Sequence, residues 1–126
     1  MTDVSELDVL IVDDHEVMRA LLTRALSVAG VTHIRTAPNA AEALTQLRER
    51  PAHLVLADQN MPGMTGLEFI AAVRADATCG APRIVMISGQ VGKAHAEAAR
   101  AAGADAVLPK PVSPRDLLQT IATLFA

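Results

Sequence analysis

Three uninterrupted apolar runs constrain the fold of this chain more than any other feature of its sequence. They occupy residues 9–12, 54–57 and 84–87, and they contain only Val, Leu, Ile, Met and Ala. Runs of this length without polar residues are typical of strands that are buried on both faces of a parallel sheet. The sequence therefore predicts three central strands.

Two further segments predict strands at the edges of the same sheet. Residues 33–36 alternate polar and apolar side chains, as a more exposed strand does. Residues 106–108 form a short apolar run that Pro109 follows. Because proline cannot donate a hydrogen bond to a neighbouring strand, it belongs at a sheet edge or at the end of a strand.

The intervals between and after these strands carry helical patterns. In the first helix, which starts at Glu16, the side chains expected to face the core are those of Met18, Leu22, Ala25 and Ala29. The remaining helices are predicted to follow the capping residues Asn39, Thr65 and Ser113, and to span Lys93–Ala102 ahead of Gly103.

Five strands that alternate with five helices indicate an α/β fold, in which right-handed crossovers join parallel strands and helices cover both faces of the sheet. The 126 residues suit one domain, predicted to span 1–126 with its core between residues 7 and 125. Doubly wound sheets bind ligands beyond the carboxyl ends of their strands. Functional residues are therefore expected directly after the apolar runs.

The composition argues against several other classes of protein. The chain is 51% hydrophobic and 20% charged, which favours a folded core over disorder. Its net charge of −3 provides no basic face, so no nucleic-acid partner is expected. The apolar runs are too short to cross a bilayer, and a single cysteine, Cys79, excludes an internal disulfide. We expect a soluble cytoplasmic protein without a membrane partner.

Polar residues follow the predicted strands wherever chemistry is expected. Asp13 and Asp14 follow the first strand, Asp58 ends the third, Ser88 ends the fourth and Lys110 comes after the fifth. Alone, each residue has an ordinary structural explanation, such as a helix cap or a solvated charge. Their joint placement at successive strand ends favours a phosphoryl-transfer site instead.

The residue types fit that chemistry. A carboxylate that attacks a phosphoryl group needs a cation between the like charges, and Mg²⁺ prefers carboxylate, carbonyl and water oxygens. The ligands predicted for Mg²⁺ are the carboxylates of Asp13, Asp14 and Asp58 and the backbone carbonyl of Asn60. Asp58 is also the predicted nucleophile, with Lys110 as a charge and Ser88 as a hydrogen-bond donor for the phosphoryl oxygens.

These segments resemble response-regulator receiver domains along essentially the whole chain. Residues 10–14, Leu-Ile-Val-Asp-Asp, look like the acidic pair of that family, and residues 58–66, Asp-Gln-Asn-Met-Pro-Gly-Met-Thr-Gly, look like its phosphorylation loop. Ser88-Gly89 resembles the hydroxyl residue followed by a small one. Lys110-Pro111 resembles the lysine-proline step, whose peptide bond the family usually holds in the cis form.

The resemblance implies a flavodoxin-like sheet in the order 2-1-3-4-5. It also implies a signalling switch in a bacterial two-component phosphorelay, not an enzyme with a separate substrate. A phosphohistidine on a sensor histidine kinase or a histidine phosphotransfer protein would phosphorylate Asp58, with self-catalysed dephosphorylation afterwards. With no output domain expected in 126 residues, the switch would act on an unidentified protein through the fourth and fifth helices and the fifth strand. The oligomeric state is left open.

The chain departs from the family pattern at two positions. Val107 stands where the family often has a tyrosine or phenylalanine that reports movement of the hydroxyl residue, and Pro109 is a milder departure. The alanine-rich helix Lys93–Ala102 has few large side chains to anchor it, so we expect it to be the mobile element. Asn60 and Gln90 occupy the positions that tune the rate of dephosphorylation in the family.

Three other functions are compatible with parts of this sequence. A Mg²⁺-dependent phosphohydrolase with an aspartate nucleophile would have a second acid two residues on, where this chain has Asn60. A flavin-binding module of similar topology would have aromatic residues around the ring, and only 2% of this chain is aromatic. A receiver that serves as a scaffold without phosphorylation leaves the presence of all five polar residues unexplained.

Overall fold

The computed structural model describes residues 3–90 and 92–126, so Met1, Thr2 and Val91 lie outside the described part of the chain. The strands are β1 (Asp8–Val12), β2 (His33–Ala37), β3 (Leu54–Asp58), β4 (Arg83–Ser88) and β5 (Ala106–Pro109). The α-helices are α1 (Glu16–Val28), α2 (Ala40–Glu49), α3 (Gly66–Ala75), α4 (Lys93–Ala102) and α5 (Pro114–Leu124). Two short 3-10 helices span Val4–Glu6 and Ala77–Cys79.

The strands form one parallel sheet in the order β2-β1-β3-β4-β5. This confirms the predicted α/β fold and the order implied by the family resemblance. The three uninterrupted apolar runs occupy the centre of the sheet, and the two weaker strands lie at its edges. Pro109 ends β5 at an edge, where its missing N–H costs no hydrogen bond within the sheet.

Side chains of the central strands alternate between two apolar cores, one on each face of the sheet. Along β1, Leu10 and Val12 face one core, whereas Val9 and Ile11 face the other. Helices α2, α3 and α4 cover the first face, and α1 and α5 cover the second. Burial on both faces explains why residues 9–12, 54–57 and 84–87 of these strands are all apolar.

The helix starts largely follow their predicted caps. Thr65 and Glu68 form a complete capping box at α3, with each backbone N–H donating to the side chain of the other, at 3.0 and 3.2 Å. At α2, Asn39 Oδ1 accepts a hydrogen bond from the Glu42 backbone N–H at 2.9 Å. At α4, the N-cap is Gly92, which has no side chain to cap the helix. The start of α4 is therefore the more weakly held.

The buried face of α1 differs in part from the prediction. Leu22 is buried as expected, but the second buried residue is Leu26, whereas Met18, Ala25 and Ala29 are only half-buried. Leu26 lies one turn after Leu22 on the same face, and its side chain, longer than those of Ala25 and Ala29, reaches the core. The prediction therefore missed Leu26, whereas Met18 and Ala25 pack against the same core as partly buried residues.

The side chain of Arg74 fastens the carboxyl end of α4 to α3 and β4. Its guanidinium donates to the carbonyl of Gly103 at 2.9 and 3.0 Å, to the carbonyl of Pro82 at 2.7 Å and to Asp105 Oδ2 at 3.1 Å. Asp105 Oδ2 also accepts the backbone N–H of Ile84 at 2.8 Å. The turn between α4 and β5 is thus tied down by charged hydrogen bonds.

Across residues 3–90 and 92–126, none of the helices combines the length and the apolar character that crossing a membrane requires.

Candidate functional site

The register of the sheet brings the predicted polar residues to one edge. Val12 pairs with Ala57, so the next residues, Asp13 and Asp58, lie side by side beyond the strands. Asp58 pairs with Ile87, which directly precedes Ser88. The backbone N–H of Lys110 donates to the Ser88 carbonyl at 3.0 Å, which fixes the end of β5 beside β4.

Asp13 is 1% exposed, which makes it one of the few charged residues buried in the described structure. Its Oδ1 accepts the backbone N–H of His15 at 2.8 Å, while its Oδ2 has no hydrogen-bond partner. Arg19 donates from Nη1 to the backbone carbonyl of Asp13 at 2.6 Å. The start of α1 therefore holds both the carboxylate and the backbone carbonyl of Asp13.

Asp58 is also 1% exposed. Its Oδ1 lies 2.7 Å from Lys110 Nζ and accepts the backbone N–H of Asn60 at 3.3 Å. Its Oδ2 is buried and has no hydrogen-bond partner. One oxygen of Asp58 is thus paired with a cation, and the other is left without a partner.

The three acids have the properties of a cation site. Donor atoms of Asp13, Asp14, His15 and Asp58 all lie within 4.8 Å of one another. Asp13 Oδ2, Asp14 Oδ1 and Asp58 Oδ2 are buried atoms without hydrogen-bond partners. Buried oxygens of this kind are costly unless something neutralises them, and a divalent cation does so. The donor set fits Mg²⁺, which prefers carboxylate oxygens.

Burial raises the pKa of the Asp13 carboxyl above its ordinary value of 3.8. The hydrogen bond from the His15 backbone opposes that rise, the negative charge of Asp58 adds to it and the Lys110 ammonium opposes it. A raised pKa means that the charged form of Asp13 is less stable in the folded protein than in the unfolded chain.

Asp13→Asn is expected to raise the free energy of unfolding by about 1 kcal/mol at neutral pH without divalent cations, because it removes a buried, crowded charge. The pKa of Asp13 is higher in the folded protein than its ordinary value of 3.8. The wild type therefore loses stability as the pH rises from about 3.8 through the raised pKa. The variant lacks this carboxyl and does not show that loss. Urea unfolding in a metal chelator at neutral and acid pH measures this. The exposed Asp116→Asn is the control, and a variant less stable than the wild type at neutral pH would contradict the expectation.

Ser88 and Lys110 complete the cluster. Ser88 is fully buried, and its Oγ accepts the backbone N–H of Gln90 at 3.0 Å. Its hydroxyl proton remains available for another acceptor. A Cβ added at Gly89 would meet no atom within 4 Å, so the chain beside Ser88 is open. The Lys110-Pro111 peptide bond is cis, as the family resemblance implies.

The loop after Asp58 is packed tightly against α3. Gly63 has φ +80°, which suits a turn with proline and glycine at its central positions, here Pro62 and Gly63. A Cβ added at Gly66 would lie 2.6 Å from the Asp58 carbonyl oxygen and 2.8 Å from Gln59 Cα. Only glycine therefore lets the first residue of α3 approach the backbone of Asp58 so closely.

Two residues in this region were not found by sequence reasoning. Gln59 is buried, and its Oε1 accepts the backbone N–H of Leu67 at 2.9 Å, which ties the loop to α3. Arg19, in the first turn of α1, donates a hydrogen bond to the backbone carbonyl of Asp13. Neither residue has a sequence signal that distinguishes it from an ordinary surface residue.

The sequence matches the family model of the response regulator receiver domain over residues 9–122. It is 33% identical over 125 residues to a probable chemotaxis protein CheY of Rhizobium etli, an alignment that covers 99% of this chain and 97% of that protein. It is also 31% identical over 117 residues to the chemotaxis protein CheY of Pseudomonas aeruginosa, covering 93% of this chain and 94% of the relative.

The fold resembles solved structures from the same group of proteins. A chemotaxis response regulator of Vibrio cholerae superimposes with a TM-score of 0.86 at 32% sequence identity, covering 93% of this chain and 97% of that one. Sequence and fold thus agree over nearly the whole chain.

Proposed function

Because this chain belongs to the response regulator receiver domain family, we propose that it is a phosphorylation switch in which Asp58 accepts a phosphoryl group with the help of Mg²⁺. The family assigns the protein to two-component signalling and not to a class of enzymes. Beyond the family, we propose Asp58 as the acceptor, Mg²⁺ as the cation and specific roles for the neighbouring side chains.

The observation that carries the proposal is the environment of Asp58. This carboxylate is buried at the end of a central strand, with one oxygen paired to Lys110 and the other without a partner. An acid placed only for stability would have both oxygens hydrogen-bonded or exposed to water. The free oxygen lies beside two further acids, where a divalent cation would neutralise the charge.

The chain's own residues supply the remaining parts of the transfer. An Asp58 oxygen attacks the phosphorus of a phosphohistidine donor, a P–O bond forms, and the P–N bond breaks as the imidazole leaves. Lys110 then moves from the Asp58 carboxylate to a phosphoryl oxygen, and Ser88 donates its hydroxyl proton to another. Water later cleaves the aspartyl phosphate and restores the carboxylate.

Asp13, Asp14 and Asp58 would hold Mg²⁺, together with the backbone carbonyl of Asn60. When bound, Mg²⁺ supplies the positive charge that allows an anionic nucleophile to meet an anionic phosphoryl group. Asn60 is exposed, and its backbone N–H already orients Asp58 at 3.3 Å. This residue would thus orient the acceptor through its backbone N–H and hold the cation through its backbone carbonyl.

The donor class follows from the family. We propose a sensor histidine kinase or a histidine phosphotransfer protein as donor, and a separate protein as the target of the phosphorylated form. The relatives from Rhizobium etli and Pseudomonas aeruginosa are chemotaxis proteins, which supports a signalling role of the same kind.

Phosphorylation can be tested without the cognate kinase. The protein is incubated with phosphoramidate, which carries a P–N bond as phosphohistidine does, in the presence of Mg²⁺ or of a chelator. We expect a phosphate-sized gain in intact mass with Mg²⁺ and little or none with the chelator. No gain at a large excess of donor and Mg²⁺ would overturn the proposed function.

We further propose that α4 is the element that responds to phosphorylation. None of the ten residues of α4 has a large apolar side chain that could anchor the helix, and Ala99 is its one buried residue. Its start has no side-chain cap and follows Ser88 by only a few residues. Movement of the Ser88 hydroxyl toward a phosphoryl group would therefore pull on a weakly held segment.

Hydrogen exchange is expected to change across the amides of the first turns of α4 when the protein is phosphorylated, because Ser88 and the segment after it adopt a new position. Mass spectrometry with and without phosphoramidate measures this, and α2, on a different part of the sheet, is the internal reference. Identical protection of α4 in both states would contradict the proposal.

A further inference from the structure

His15 is the one residue of the cation cluster that is not an acid. Its side chain is 63% exposed, and its Nδ1 lies 3.1 Å from Asp14 Oδ1 and 3.3 Å from Asp13 Oδ1. It is therefore within reach of both acids that follow β1, while the rest of the ring faces solvent. An imidazole at this place changes the chemistry of the donor set from oxygen alone to oxygen and nitrogen.

The approach of His15 to Asp14 does not have the geometry of a hydrogen bond. Asp14 Oδ1 has no hydrogen-bond partner, although the imidazole nitrogen is only 3.1 Å away. Two adjacent ligands of an octahedral ion with bonds of about 2.1 Å lie roughly 3 Å apart. The separation of these two atoms is thus the one expected of neighbouring ligands around a shared cation.

The imidazole does not cap the helix that follows it. His15 is the N-cap residue of α1, but its side chain makes no capping hydrogen bond. The hydrogen bond that orders this turn comes from its backbone N–H, which donates to Asp13 Oδ1 at 2.8 Å, and any residue other than proline provides that N–H. The contacts that place the side chain are those of Nδ1 with the two acids, at 3.3 Å to Asp13 Oδ1 and at 3.1 Å to Asp14 Oδ1.

The buried acids place several carboxylate oxygens close to Nδ1 of His15. Asp13 and Asp58 are each 1% exposed, and each has one oxygen without a partner. A nitrogen donor added to such a site favours borderline metals such as Co²⁺ and Zn²⁺, whereas Mg²⁺ gains little from imidazole. When Nδ1 of His15 binds a metal, the ring carries its proton on Nε2. The exposure of this side chain allows Nε2 to donate that proton to solvent.

We propose that His15 is a metal ligand that shifts the selectivity of this site from Mg²⁺ toward transition metals. The inference rests on the proposed cation site at Asp13, Asp14 and Asp58, and it adds His15 Nδ1 as a fourth protein donor. The protein binds Mg²⁺ through oxygens alone, and binds Co²⁺ through the same oxygens together with the imidazole.

The test compares direct binding of Co²⁺ and Mg²⁺ by calorimetry to wild type, His15→Gln and His33→Gln. Glutamine replaces the imidazole nitrogen by an amide, and His33, an exposed histidine on β2, controls for the loss of any surface imidazole. His15→Gln is expected to weaken Co²⁺ binding at least about tenfold, since even indirect supports of a metal ligand are worth that much. Mg²⁺ affinity should stay within about threefold, and His33→Gln should match the wild type for both ions.

A second readout identifies the ligand itself. The visible absorption of bound Co²⁺ depends on its donor atoms, so the band position should shift between wild type and His15→Gln but not His33→Gln. Unchanged Co²⁺ affinity and spectrum in His15→Gln would overturn this inference. That result would not contradict the proposed Mg²⁺ binding or the proposed phosphorylation of Asp58. A wild type that binds neither ion would overturn the proposed cation site as well.

Discussion

Asp58→Asn is expected to abolish phosphorylation completely. The amide is nearly the same size as the carboxylate, but it is neutral and a poor nucleophile, so no acyl phosphate can form at this position. Intact mass after incubation with phosphoramidate and Mg²⁺ should therefore show the wild type with a phosphate-sized gain and the variant without it. The fold should persist, since the loss of the ion pair with Lys110 is offset by the removal of a charge that is buried among other acids.

Asp116→Asn is the matched control for this experiment. Asp116 is an exposed acid in the first turn of α5, outside the strand-end cluster, so its replacement makes the same change in net charge. This control should accept a phosphoryl group as the wild type does. A phosphorylated species in Asp58→Asn at the wild-type level would identify a different acceptor and contradict the assignment of Asp58.

Lys110→Met is expected to lower the free energy of unfolding by about 1–3 kcal/mol in the absence of Mg²⁺, because a buried carboxylate loses its only charged partner. The Lys110 ammonium lies 2.7 Å from Asp58 Oδ1, and the Asp58 side chain is fully buried. Phosphorylated Lys110→Met should also fail to change the protection of α4, since the lysine no longer bridges the phosphoryl group to β5. Urea unfolding and hydrogen exchange measure the two effects.

A double variant separates the loss of the ion pair from general damage. In Asp58→Asn/Lys110→Met neither charge remains, so most of the stability lost in Lys110→Met should return. Lys93→Met, at an ammonium whose side chain is 90% exposed, should leave stability nearly unchanged. Equal destabilisation of the single and double variants would show that Lys110 acts through packing and not through its charge.

The sequence was sufficient to predict the architecture because its apolar runs, its helix caps and the polar residues after its strands all indicate the same fold. Apolar runs without polar residues are typical of strands at the centre of a parallel sheet, and the two weaker runs fall at its edges as predicted. Parallel strands end at one edge, so the positions of Asp13, Asp58 and Ser88 along the chain already imply proximity in space. The order of the strands came from the family resemblance, and the structure agrees with it.

Contacts between distant side chains could not be predicted in the same way. The place of Leu26 in the core depends on how α1 is rotated against the sheet, which periodicity fixes only to within one residue. The hydrogen bonds of Arg19, Gln59 and Arg74 to backbone groups join segments whose relative position exists only after folding. The closeness of His15 to the acids likewise depends on the path of the turn before α1.

The clamp made by Arg74 has a consequence for how α4 can move. The carboxyl end of this helix is fastened through Gly103 and Asp105, whereas its amino end begins at an uncapped glycine beside the cluster. A helix fixed at one end swings about that end instead of sliding as a whole. Displacement should therefore grow steadily from Ala102 back to Lys93. The fixed end of α4 lies near the amino ends of the strands, whereas the phosphorylation site lies at their carboxyl ends.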